Sequence, residues 1–402
     1  MRVCVIGGGV IGLFSAWYLV RSGHEVCLVD RNNFNEGASH GNAGMICPSH
    51  FTPLAAPGVI RQSLKWMFDS GSPFYIKPRF DPDFIRWGLQ FFRKANRRHV
   101  KASIGPLSAL LQWSSSLYRD LAEEGMDLSL SQRGIIMACK GQHTLDEESH
   151  IAGQAAGIGI RTRILSSGEI HDLNPGVRFK LTGGVHYLDD MHLVPEKLIT
   201  SLKADLSGKA EMLSGIEVTG FHRENDRIDR ALTQAGEIRA DFFVLAGGAW
   251  TGKLARMAGE YAAIEPGKGY NITIPEANPQ LSTPLILVED RVAITPMDQA
   301  LRLGGTMELS GINDLVLTRR VTGILRAIES CLPDFGMDQT SVLKPWFGFR
   351  PLSPTGLPVI APLGRLRNVM INAGHGMLGL SLAPASGKLL NQLIADHVRG
   401  VA

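Results

Sequence analysis

Short β-branched apolar runs and one apolar helix pattern organise the start of the chain. Val3 to Ile6 reads as a fully buried parallel strand, and Glu25 to Val29 as a second one ending at Asp30. Between them Leu13 to Val20 is apolar and rich in helix formers, and Gly23 stands where a helix C-cap belongs. A βαβ unit is therefore expected within the first 30 residues. A further apolar strand, Phe242 to Leu245, stops at Ala246-Gly247-Gly248-Ala249-Trp250. Another, Asn368 to Asn372, runs into the loop Gly374 to Gly379, and a helix is expected over Ala385 to Val398 with Pro384 in its first turn.

The middle of the chain mixes both periods. Helical spacing occurs at Arg61 to Phe68, Phe84 to Lys94 and Leu107 to Glu124, predicting an inserted helical section. Gly134 to Cys139 and Val185 to Leu188 read as strands, and Ile164 to Asp172 as a turn and short helix closed by Asn174-Pro175. Pro195 opens a helix through Leu202, and short strands alternate with turns from Ile216 to Arg239. Asn271 to Ile274, Arg291 to Thr295 and Leu301 to Gly304 are short strand runs, with a helix near Arg319 to Cys331. This mixture suits an α+β substrate domain.

The first glycine cluster carries the most specific chemistry. It lies between the two N-terminal strands as Gly7-Gly8-Gly9-Val10-Ile11-Gly12. Gly7 suits a tight turn, Gly9 leaves room for a pyrophosphate on backbone N–H groups, and Gly12 lets helix pack on strand. Val10 and Ile11 begin a helix whose N-terminus then faces the phosphates. Asp30 is placed to accept from a ribose hydroxyl pair, which disfavours a 2′-phosphate and hence NADP. The unit alone leaves FAD and NAD both open, since each presents an adenosine diphosphate to it.

Composition narrows the classes. In 402 residues, 44% are hydrophobic, enough for an enzyme-sized two-domain body. With 41 basic and 38 acidic residues the net charge is only +3, which gives no field for holding nucleic acid. The five cysteines, Cys4, Cys27, Cys47, Cys139 and Cys331, are scattered without a C-x-x-C pair and read as reduced thiols, so no metal site is expected. The chain opens directly on a strand with no secretory pattern, and no apolar run reaches the roughly 18 residues of a membrane span, so a cytoplasmic location is expected.

Six segments together resemble the D-amino acid oxidase superfamily of flavoproteins, most closely its bacterial D-amino acid dehydrogenases. They are Arg2 to Asp30, GNAGMICPSHFTPLAAPG from Gly41, GKGYNITIP from Gly267, AITPMDQALRLGGTME from Ala293, WFGFRPLSPTGLPVI from Trp346, and Asn372 to Leu390. The resemblance implies an α/β fold with a Rossmann-like FAD-binding domain (1–47, 140–262, 346–402) and a discontinuous α+β substrate domain (48–139, 263–345) that carries the helical section. It implies noncovalent FAD held by Gly7, Gly9, Val10, Ile11, Gly12, Asp30, Arg31, Ser39, the turn Asn42-Ala43-Gly44-Met45, Val218, Ala246, Gly247 and Trp250. The loop Gly374, His375, Gly376, Met377, Leu378 and Gly379 would lie against the flavin ring, with His375 acting through its backbone. Cys47 would be a small buried thiol and not a flavin tether.

Arg350, in the F-R-P match, is similar to the arginine that clamps the substrate carboxylate. The oxidase branch has a tyrosine where this chain has Ala293, and Tyr270 of the K-G-Y motif is a candidate replacement. His50 stands where the closest relatives have tyrosine and would touch the substrate side chain. The activity implied is oxidation of D-amino acids to 2-oxo acids, by hydride transfer from the α-carbon to flavin, with electrons passed to a quinone or other respiratory acceptor. No catalytic side chain is required beyond positioning. Alternatives are a cis-4-hydroxy-D-proline or D-proline dehydrogenase, an oxygen-using oxidase of the glycine or sarcosine type, and an inactive flavin-binding electron relay. Aromatic and basic residues from Arg61 to Arg98, including Trp66, Phe68, Trp87, Phe91 and Phe92, suggest peripheral docking on the inner membrane.

Overall fold

The computed structural model describes residues 1–60, 72–278, 280–333 and 344–400. The N-terminal apolar run forms the strand Arg2–Ile6, between the parallel strands Phe242–Leu245 and Glu25–Asp30. Glu211–Ser214 extends the sheet beyond Glu25–Asp30, Val369–Ala373 extends it beyond Phe242–Leu245, and antiparallel Val359–Pro362 closes that edge. Helices Val10–Arg21, Pro195–Leu206 and Gly379–Arg399 cover one face through Leu13, Phe14, Leu198, Leu202 and Leu390. The other face is covered by a three-stranded meander and the helix Thr251–Met257, with Val218, Ile228 and Leu254 in the seam. Both faces are thus dry, which is why these strands are continuous apolar runs with no alternation.

A second sheet of nine strands packs over the mouth of the first. Its order is Trp346–Leu352, Glu265–Ile274, Ala300–Leu309, Val292–Met297, Leu285–Leu287, Ile135–Cys139, Gly183–Tyr187 and Thr162–Ser166, with Phe74–Ile76 paired to the end of Ala300–Leu309. The helix Thr318–Cys331 backs it through Val321, Ile324 and Ile328. This membership moves two expected boundaries. Residues 140–188 belong with the second sheet, because the fully buried strand Ile135–Cys139 needs a partner on each side and Gly183–Tyr187 provides one. Trp346–Leu352 likewise pairs with Glu265–Ile274, so the return to the first sheet comes at Val359 and not at 346.

The helical section is present as Pro82–Lys94 and Arg97–Glu123, while the stretch expected from Arg61 to Phe68 lies outside the described residues. Asp81 caps the first of these, accepting from the N–H groups of Asp83 and Phe84 at 3.0 and 3.4 Å, and Pro82 occupies the first turn. The C-terminal helix differs from expectation. It begins at Gly379, so Pro384 lies inside it and not in its first turn. A proline there cannot donate to the carbonyl four residues back, that of Leu380. The buried Tyr118 hydroxyl supplies the missing donor at 2.8 Å. We expect Tyr118→Phe to destabilise the fold by about 1–3 kcal/mol, since the Leu380 carbonyl loses the side-chain donor that stands in for the proline. Urea unfolding measures it, and an unchanged midpoint would show that Leu380 does not depend on Tyr118.

Candidate flavin and substrate site

Where the two sheets meet, a cavity of about 1860 Å³ runs from the N-terminal glycine loop to the edge strand Trp346–Leu352. The loop's glycines divide their work by position. Gly7 has φ +116°, and a Cβ on it would lie 2.4 Å from the Ala246 carbonyl oxygen. A Cβ on Gly12 would collide with the Gly7 carbonyl, so both residues serve the packing of turn, helix and neighbouring strand. Gly8 is as tightly placed, against the Phe34 ring, a constraint the sequence pattern does not reveal. Gly9 differs: its added Cβ would meet only the Ser39 hydroxyl, at 3.2 Å, and otherwise project into the cavity it lines. That is the cradle a pyrophosphate requires.

The flanking groups complete this end. Asp30 accepts from the Gly8 N–H at 2.6 Å and the Asn32 N–H at 2.7 Å, tying the glycine loop to its strand, and it lines the cavity. Ser39 Oγ accepts from the Val10 N–H at 3.0 Å. Arg31 lies over the Trp250 ring at 3.8 Å, a cation–π contact that fixes both beside Val218, Ala246 and Gly247. Ile11, Asn42, Ala43 and Met45 also line the cavity. Gly44 does not: at φ +72°, with a Cβ that would strike the Leu193 carbonyl, it makes the turn that Asn42 Oδ1 secures by accepting from the Gly44 N–H at 2.8 Å.

At the second glycine loop Gly374 and Gly376 have φ +78° and +58°, so side chains would be strained there. Gly374 through Gly379 line the cavity where the C-terminal helix begins. The His375 imidazole turns into the core onto Ser386 Oγ at 3.0 Å, and burial pushes its pKa down to about 3. A neutral, inward ring agrees with a backbone role. Cys47 is buried, and burial next to Asp190 pushes its thiol pKa up, so it stays protonated.

Arg350 dominates the other end. It donates to the Thr306 carbonyl at 2.8 Å, lines the cavity, and has no carboxylate within ion-pair distance among the described residues. Burial alone pushes its pKa down to about 10. Two neighbours make this possible. A Cβ on Gly269 would overlap the guanidinium, so any larger residue there would displace Arg350 from this position. Thr306 has φ +69°, a strained conformation for a β-branched residue, beside a register shift between Lys268 and Tyr270.

Tyr270 borders the cavity, but its hydroxyl is engaged elsewhere. It is fully buried, and its hydroxyl donates to Glu308 Oε2 at 2.6 Å, away from Arg350. Alternation along the strand puts Gly269, not Tyr270, on the face of the guanidinium. The K-G-Y motif therefore contributes its glycine. His50 does line the cavity, and its Nδ1 is 3.1 Å from Ser49 Oγ, which donates to buried Asp190 at 2.6 Å. Burial holds His50 neutral, with a pKa near about 4, and raises Asp190 to about 7. Ala293, Gly304 and Asn271 are cross-strand neighbours that line the cavity, leaving space where the oxidase branch has a tyrosine. Trp346 packs its ring against Gly41 and Gly348, a contact no sequence pattern announced.

Fold and site together define an oxidoreductase built around a dinucleotide cofactor. The chain belongs to the family described as DAO, FAD dependent oxidoreductase, whose pattern matches residues 2–393. It is 30% identical over 407 residues to a D-amino acid dehydrogenase of Granulibacter bethesdensis, covering 98% of this chain and 96% of that one. It is 33% identical over 414 residues to a D-amino acid dehydrogenase of Rhizorhabdus wittichii, again covering 98% and 96%. Among solved structures, a glycine oxidase from Bacillus cereus superposes with a TM-score of 0.75 at 22% identity, covering 98% of this chain and 94% of that one. FAD is the cofactor, and the cradle at Gly9 fits its pyrophosphate.

The two ends of the cavity should fail separately. Gly9→Val should abolish flavin retention, because its side chain fills the cradle, whereas Gly269→Ala should keep flavin and lose oxidation of carboxylate-bearing substrates. Flavin absorbance per protein and turnover, measured on both variants, check this. Loss of flavin in Gly269→Ala, or retention in Gly9→Val, would contradict the division.

Proposed function

We propose that the chain oxidises D-amino acids to 2-oxo acids and ammonia, passing the electrons to a quinone or another respiratory acceptor. The observation that carries this is Arg350, a desolvated guanidinium whose partner among the described residues is one backbone carbonyl. Such a group is costly to bury unless an anion joins it, and its fork matches a carboxylate. Bound FAD supplies the hydride acceptor. Arg350 fixes the substrate carboxylate, and backbone carbonyls of the Gly374 to Gly379 loop are available to the amine. The neutral His50 borders the space left for the side chain. No acid–base pair is needed for such a transfer, in keeping with a site that works by orientation. The names of the relatives support D-amino acids as the substrate class.

Peripheral docking on a membrane belongs to the same proposal, with a revised surface. Among the described residues no helix is long and apolar enough to cross a membrane. Trp87 is only 5% exposed, donates to the Leu352 carbonyl and stacks with Phe84 and Phe91, so it serves the core. The exposed large hydrophobic residues of Pro82–Lys94 are Ile85, Leu89 and Phe92, spaced to share one helix face, with Phe80 beside them. Arg93, Lys94, Arg97 and Arg98 follow. Trp66 and Phe68 lie outside the described residues. Flotation with anionic liposomes at low salt should carry the protein upward, and Phe92→Glu should reduce it; protein that stays at the bottom rules docking out.

The substrate assignment is tested on the flavin itself. Under anaerobic conditions D-amino acids should bleach the flavin absorbance, and an electron relay without activity would not respond. Arg350→Lys should keep flavin yet lower kcat/KM by about ten- to a hundredfold, because an ammonium cannot present two parallel donors. Unchanged kcat/KM would place the carboxylate on another residue.

A further inference from the structure

Beyond the space beside Arg350 the cavity continues across the second sheet over a floor of small residues, Gly348, Gly269, Gly304 and Ala293. It ends under the helix Gln142–Gly157, where Glu148, Glu289 and Arg291 line it above Met137 and Val288. In the sheet order Trp346–Leu352 and Leu285–Leu287 are four strand spacings apart, about 19 Å at roughly 4.8 Å each. Arginine and glutamate side chains reaching in from the two sides leave a gap that only an extended side chain can bridge.

The far lobe is built for a donor. Glu148 is 8% exposed and has no hydrogen-bond or ion-pair partner among the described residues. Burial pushes its pKa up, opposed by the nearby Arg291. Glu289 Oε1 accepts from the N–H groups of Lys140 and Gly141 at 3.0 and 3.1 Å, while its Oε2 is buried without a partner. Arg291, exposed at the rim of the lobe, is the cation nearest Glu148, whereas Asp146 and Glu147 lie on the exposed side of the helix, where Gln142 and His143 pair with them. A buried carboxylate oxygen with no donor, such as Glu289 Oε2, is expensive, and a cation or an N–H group beside it and the desolvated Glu148 would relieve the cost.

We propose that this lobe receives the side chain of the amino-acid substrate and selects long chains ending in a guanidinium or an ammonium, with Glu148 as the primary acceptor and Glu289 behind it. The inference rests on the amino-acid reading given above. Short apolar side chains fill only the space by His50 and leave the lobe empty. Anionic side chains meet the carboxylates of Glu148 and Glu289.

The FAD-loaded enzyme decides this in two arms. In turnover with D-arginine, D-lysine, D-methionine and D-glutamate, kcat/KM for the two basic substrates should exceed that for D-glutamate at least tenfold. Glu148→Gln, nearly the same shape without the charge, should lower the D-arginine to D-methionine ratio about tenfold, as loss of a charge-assisted hydrogen bond does. In the second arm, calorimetric titration with agmatine, which has the guanidinium but no α-carboxylate, should show at least tenfold weaker binding to Glu148→Gln. A preference for D-glutamate over D-arginine, or a ratio and agmatine affinity indifferent to Glu148→Gln, overturns the proposal. The failures are distinguishable: absence of any amino-acid turnover with Glu148-dependent agmatine binding removes the amino-acid reading and leaves the lobe. Turnover of D-methionine with no Glu148 effect in either arm does the reverse.

Discussion

A desolvated cation without a counter-charge is the constraint around which the substrate end of this protein is arranged. Arg350 is on an edge strand, donates to one backbone carbonyl, and has its pKa pushed down to about 10 by burial. Replacing its water with a single neutral acceptor costs free energy that folding must supply elsewhere. The surroundings are specific to that arrangement. Gly269 leaves the volume the guanidinium occupies, and Thr306 holds a left-handed backbone conformation that aims its carbonyl at Nη1. Strain of that kind persists where the rest of the sheet over-determines the geometry, and it is characteristic of sites prepared for a ligand. The remaining donors of the fork are then free for a carboxylate, so binding returns what burial cost.

The cofactor end follows a different logic, one of removed atoms. Gly7 and Gly12 let strand, turn and helix close on one another, and Gly9 leaves open the space the diphosphate needs. Asp30 and Ser39 fasten the loop by accepting from Gly8 and Val10. The C-terminal helix approaches the first helix closely because Gly387 has no side chain: a Cβ there would be 2.7 Å from the Phe14 backbone. That approach brings the Gly374 to Gly379 loop to the cavity, where His375 bridges to Leu352 at the end of the strand that carries Arg350. One end therefore depends on absent side chains and the other on one costly side chain.

The cofactor half was largely legible in the sequence, because its signals are local. The strand Phe242–Leu245 has the bounds its apolar run suggests, and Gly7, Gly9 and Gly12, though not Gly8, can be argued from their places between strand and helix. What was not legible depended on partners distant in the chain. Residues 140–188 joined the second sheet because Ile135–Cys139 needed a neighbour, which no local pattern states. The helix Gly379–Arg399 could extend through Pro384 only because Tyr118, 262 positions away from Leu380, provides a hydroxyl. Tyr270 was attractive as a polar aromatic in a motif, yet strand alternation gave its face to the core and left the motif's glycine to meet Arg350. Trp87 was drawn to the surface by composition and to the interior by its stacking partners Phe84 and Phe91.

The claim that Arg350 is the carboxylate anchor can be observed directly in a crystal structure of the FAD-loaded protein with pyruvate, a carboxylate that has no amine to oxidise. The account predicts both carboxylate oxygens within about 3 Å of the free Arg350 nitrogens, with the Thr306 contact retained. A carboxylate bound instead at Arg291, with Arg350 untouched, would contradict it.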